Sequence, residues 1–95
     1  MIQLLPQSDT LKTNIANPSA AIEYISDYID KYHCKNLQID ISHMNPIDAS
    51  NVSIICATKH YIKYPDGKIC WRVSSNLVKE LNAGLELGNN LYSKI

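Results

Sequence analysis

A chain of 95 residues, 45% hydrophobic and 19% charged, with nine basic and nine acidic side chains, has room for one compact domain and not two. The hydrophobic share argues against disorder, and the even charge balance leaves no basic stripe for phosphate-driven nucleic-acid binding. No apolar stretch approaches the roughly 20 residues of a membrane span. The opening Met1-Ile2-Gln3-Leu4-Leu5-Pro6 lacks the positive region and long apolar core of a signal peptide, so the expected compartment is the cytoplasm. Three cysteines, Cys34, Cys56 and Cys70, are an odd number without C-x-x-C spacing. They read as small core residues rather than a disulfide framework or a zinc knuckle.

Residues 2–5 form a short apolar run, and Pro6-Gln7-Ser8-Asp9 has turn composition. Residues 11–15 alternate and read as a second strand paired with the first. Asn17-Pro18 then opens a helix over 18–33: the asparagine side chain can take up a free backbone N–H, and proline suits the first helical position. Ala21, Ile22, Ile25, Tyr28, Ile29 and Tyr32 share its inner face, with Glu23, Asp27, Asp30 and Lys31 opposite. Residues 36–42 (Asn-Leu-Gln-Ile-Asp-Ile-Ser) alternate strictly and predict a central strand. Helices on both sides of it in sequence imply a βαβ crossover and a partly parallel sheet.

A loop through Pro46 follows, with Asp48 as the expected cap of a helix over 49–63. Val52, Ile55, Cys56 and Ile62, with Ala49 and Lys59, mark the expected inward stripe, and His60 is expected in solvent. Tyr64-Pro65-Asp66-Gly67 is a turn, and residues 68–74 form a second core strand in which Trp71 is expected to pack inside. Ser74 or Ser75 can cap a third helix with Leu77, Val78 and Leu81 inward. Gly84 fits its C-terminal cap, and residues 85–87 a last edge strand before a tail from Gly88 that is polar apart from Leu91, Tyr92 and Ile95. The expected fold is thus a single small α/β domain over residues 1–95, with a roughly four-stranded mixed sheet and two to three helices.

Chemistry-bearing residues are sparse. Asp40, His43 and Asp48 could meet at one end of the sheet and form an acid/base or ligand site. One histidine without a second at i+4 and without a nearby cysteine is a poor zinc set, and no metal or other cofactor is expected. Adjacent His33 and Cys34 point in different directions at a helix end and make a poor nucleophile–base pair. No phosphate-cradling or nucleophile-elbow motif occurs, and Gly67, Gly84 and Gly88 suit a turn, a helix end and a tail.

The segment Ile39-Asp40-Ile41-Ser42-His43-Met44-Asn45-Pro46-Ile47-Asp48-Ala49-Ser50-Asn51 resembles the core motif of the STAS family, in which a Leu-Asp-Leu-Ser strand end leads through a short loop to an Asp-Ser-Ser-Gly turn at a helix start. Asp40 and Asp48 keep the family's separation of eight positions. Gly67 to Trp71 and Leu77-Val78-Lys79-Glu80-Leu81-Asn82-Ala83-Gly84-Leu85 look like the family's third-strand and third-helix region. The resemblance covers residues 36–88 and fits residues 1–17 poorly. It implies a non-enzymatic regulatory domain of bacterial signalling, an anti-sigma-factor-antagonist-like module that binds a protein such as a kinase-like ATPase or a sensor.

The resemblance further implies a partner surface made of Ser42, His43, Asn45, Asp48, Ser50 and Asn51. The family's phosphorylated serine falls on Ala49 here and its glycine on Asn51. The usual phosphoserine switch is therefore expected to be missing, unless Ser50 takes the phosphate. Two other readings stand beside this one: a small ligand-binding domain or enzyme built on Asp40, His43 and Asp48, and a structural subunit of a larger assembly.

Overall fold

The computed structural model describes residues 11–33, 35–83 and 90–94. Its elements run β1 (Leu11–Lys12), α1 (Pro18–Tyr32), β2 (Asn36–Asp40), α2 (Pro46–Lys63), β3 (Lys68–Val73), α3 (Leu77–Leu81) and β4 (Asn90–Lys94). Strand order in the sheet equals chain order, β1-β2-β3-β4. Every described pairing is parallel, with Ile39 beside Leu11 and Trp71, and Tyr92 on the other side of Trp71. The expected strands at 2–5 and 85–87, and the Gly84 cap, lie outside the described residues, as does any antiparallel pairing they would make. β2 has a neighbour on each side, as its alternation implies. β1 is only two residues long where a strand over 11–15 was expected, because Thr13 and Asn14 already leave the sheet for the loop into α1. The strand next to β3 is drawn from the tail that reads as polar.

α1 opens as expected. Asn17 is extended, and its Oδ1 accepts the Ala20 N–H at 3.0 Å. The helix ends at His33 in the left-handed region (φ 52°), whose N–H returns to the Ile29 carbonyl. Ala21, Ile25 and Ile29 are buried, while Tyr32 at the last turn projects into solvent.

α2 departs from expectation at its start and along its face. It begins at Pro46 rather than 49, and its cap is Asn45, whose Oδ1 accepts the Asp48 N–H at 2.8 Å. Asp48 is thus the third helical residue. Its carboxylate accepts the Asn45 Nδ2–H at 3.1 Å, so the two side chains support each other across the first turn, although the donor is the Asn45 side chain and not the backbone N–H that a capping box would use. The buried face is Ala49, Val52, Ser53, Cys56, Ala57 and His60. Ile55, Lys59 and Ile62 of the expected stripe point outward instead. α2 packs on α1 on one side and α3 on the other, so the helices form one layer over one sheet face. A helix held between two others and a sheet must let them approach closely, which favours alanine, serine and cysteine inside.

His60 is buried, contrary to its expected solvation. Its ring tilts against Tyr64 with centroids 5.5 Å apart, and a Cβ built on Gly67 would come 2.9 Å from its Cε1 and overlap the Lys35 carbonyl. Only glycine fits under that histidine in the 64–67 turn, which the Gly67 N–H closes on Tyr64 O at 2.9 Å. In α3 only Val78 is buried. Leu77 and Leu81 are part-exposed rather than inward, because a helix of five residues has a single inner turn. The N-cap of α3 is Asn76, which makes no side-chain cap bond, rather than Ser74 or Ser75; Ser75, one residue earlier, accepts the Leu77 N–H on its Oγ at 3.1 Å. Trp71, fully buried, joins Ile39, Ile41, Ile69 and Val73 beneath the helices.

Candidate functional site

The loops leaving β1 and β2 meet at the carboxyl edge of the sheet, where ligands and partners of open α/β folds gather. Asp40, at the end of β2, accepts both the Ser42 N–H at 2.9 Å and the Ser42 hydroxyl at 2.6 Å on one oxygen. Partial burial alone would raise its pKa. The two Ser42 hydrogen bonds outweigh that, helped by Arg72 and Lys12, and hold the carboxyl below its usual value. Asp40 therefore works as the clamp of its own loop. Met44, buried, anchors the loop to the core, its N–H bonded to Ile41 O at 3.0 Å.

His43 is exposed, and its Nε2 lies 2.9 Å from the Ile15 carbonyl oxygen, where an Nε2–H would donate across to the loop before α1. Asn45 and Asn51 are exposed, and Asp48 is half-buried against Asn45. Asp40 and Asp48 are thus each held by a different local partner. Among the described residues no three His, Cys, Asp or Glu side chains gather as a metal site would need. Of the residues the sequence marks as a partner surface, Ser42, His43 and Asn45 share the loop, and Asn51 stands one turn beyond Ile47 on the open side of α2.

Ser50 behaves differently from the rest. In place of a solvent-facing hydroxyl in the first turn, it donates to Asn82 Oδ1 at 2.5 Å. Asn82 is fully buried, and its Nδ2 donates to Ser53 Oγ at 3.0 Å and to the Tyr92 hydroxyl at 2.5 Å. This group ties α2 to α3 and β4. Sequence reasoning missed it, because no local pattern links residues 29 or 39 positions apart. Ala49, the residue before Ser50, is buried in the core.

Cys56 is also buried, which pushes its thiol up to about 12 and keeps it protonated and inert near neutrality. Cys70 lies on the opposite sheet face in register with Gln38, and Cys34 is outside the described residues. Among the described residues no helix is long and apolar enough to cross a membrane. Comparisons with protein-family models, with curated proteins and with solved structures find none that matches this chain.

Proposed function

We propose that this chain is a non-catalytic, STAS-like regulatory domain that binds another protein through the β2–α2 loop and the first turns of α2. The observation that carries the reading is a loop that is clamped yet open. Asp40 and Met44 fix its path, while His43, Asn45, Ile47 and Asn51 remain exposed around it. A preorganised loop loses little conformational freedom on docking, and Ile47 offers an apolar anchor among polar neighbours. Binding is constitutive in this reading. The family's phosphoacceptor position is a buried alanine, and the neighbouring Ser50 hydroxyl is engaged with Asn82. A kinase-like ATPase or a sensor protein is the class of partner the resemblance to the STAS motif supports, with the cytoplasm as the compartment.

The test places a photoreactive residue at Asn51 in cells, identifies the adduct by mass spectrometry, and titrates the purified partner against wild type and Asn51→Arg. We expect one dominant partner and at least about a tenfold loss of affinity in the folded variant, or 1.4 kcal/mol. Equal affinity would place the working surface elsewhere. Ser50→Asp is the companion variant. It sets a carboxylate against Asn82 Oδ1 and should lower stability, whatever it does to binding.

A further inference from the structure

The outer side of α2 carries Ile47, Ile55 and Ile62, which are 60%, 42% and 74% exposed. Single exposed apolar residues need no explanation, but an aligned set does. At 100° per residue, the eight steps from Ile47 to Ile55 and the seven from Ile55 to Ile62 keep all three within an arc of about 80°. Asn51 and Thr58, both exposed, fall inside the same arc. The result is a straight stripe about 22 Å long, directed away from the sheet.

The stripe reads nearly the same from either end. Ile55 stands at its middle, with Asn51 and Thr58 on either side and Ile47 and Ile62 at the ends. If two such helices run antiparallel about a two-fold axis at Ile55, Ile55 meets its copy, Asn51 meets Thr58, and Ile47 meets Ile62. A two-fold axis also brings the same flank of each helix together. On one flank stand Asp48 and Lys59, placed so that each Asp48 faces the Lys59 of the other copy, twice over. Among the described residues the Asp48 carboxylate bonds only the Asn45 amide, and Lys59 makes no ion pair, its charge acting within the chain on Asp30 of α1 without contact.

We propose that α2 is a self-association surface: a second copy of this chain docks antiparallel on the Ile47–Ile55–Ile62 stripe, with reciprocal Asp48–Lys59 pairs. This goes beyond the partner reading above and stands without it. The two surfaces share Ile47 and Asn51, so a second copy and a partner on the loop exclude one another.

The test needs only purified chain. Sedimentation velocity across a concentration series should show a monomer–dimer equilibrium. Asp48→Lys and Lys59→Asp should each weaken it by about tenfold, and the double exchange should restore it. Within one chain the two positions are eleven residues, about 16 Å, apart along the helix, so rescue can arise only between copies. Ile55→Cys should form an intermolecular disulfide on mild oxidation, while Lys79→Cys on α3 should not. This second variant keeps the test decisive if a charge exchange fails to fold. A chain that stays monomeric at every concentration overturns the proposal. So does a dimer indifferent to both charge changes, an unrescued double exchange, or an Ile55→Cys variant that does not cross-link.

Discussion

Both long helices open on an Asn-Pro pair whose asparagine accepts the amide of the third helical residue, at Ala20 in α1 and Asp48 in α2. From there they use their large side chains in opposite ways. α1 buries Ile25 and Ile29, and its acidic residues lie outside. α2 fills most of its inner face with Ala49, Val52, Ser53, Cys56 and Ala57, ends it on His60, and turns three isoleucines outward. The difference is one of position. α2 packs against α1, α3 and β3, and close neighbours favour small residues along most of its inward side, with the larger His60 buried only at its last turn beside Gly67. In a middle helix, then, apolar size stops being a guide to the inside, and the outward isoleucines call for another explanation.

The sharpest way to break this comparison is to truncate matched isoleucines. Ile25→Ala should lower stability by about 2–5 kcal/mol, since it empties a fully buried site. Ile55→Ala, measured at concentrations low enough to keep the chain monomeric, should change it by no more than about 0.5 kcal/mol. Chemical denaturation reads both, and equal losses would refute the outward assignment of Ile55.

Next in size is Asn82→Ala, which leaves the Ser50, Ser53 and Tyr92 hydroxyls short of a buried partner. A loss of about 1–3 kcal/mol is expected. It should appear as earlier exchange of the α3 and β4 amides with α1 unaffected, and uniform exchange would argue against a local tie.

The two caps sharpen the likeness between the helices. Asn17→Ala and Asn45→Ala should each lower stability by about 0.5–2 kcal/mol. Asp48→Ala should lower it less than Asn45→Ala, because Asp48 supports the cap instead of being it. The reverse ranking in denaturation midpoints would return the cap to Asp48.

The smallest effect belongs to Asp40. Its folded pKa lies below the ordinary aspartate value, so its contribution is complete above that ordinary value and drains away as pH falls through the lower folded value. Asp40→Asn should flatten the acid limb of a stability–pH curve. An unchanged limb would mean that the Ser42 clamp is not formed in solution.

How far the sequence discloses this fold depends on how local each cause is. α1 is legible because cap, proline and apolar spacing are contiguous, and residues 36–41 because the alternation is strict. The start of α2 was equally written, in Asn45-Pro46, but the nearby Asp48 is as good a capping residue, and only the geometry decides between them. His60 and Ser53 look like surface residues, since their partners come from the 64–67 turn and from Asn82 and Tyr92. β4 reads as tail because its neighbours in sequence are polar, and its pairing with β3 is a long-range fact. At the candidate site, the pattern of polar residues in the loop was visible, but the inward turn of Ser50 was not.

The order β1-β2-β3-β4 also bears on how the chain acquires its shape. No two neighbouring described strands are joined by a hairpin, and residues paired across the sheet, such as Ile39 and Trp71, are remote in sequence. Strand pairing must therefore wait for a helical crossover to close, which slows folding relative to a hairpin-built sheet of equal size. On the ribosome the same order becomes an advantage. As each described strand after the first emerges, its neighbour has already been synthesised, so the sheet can grow in one direction at the pace of translation.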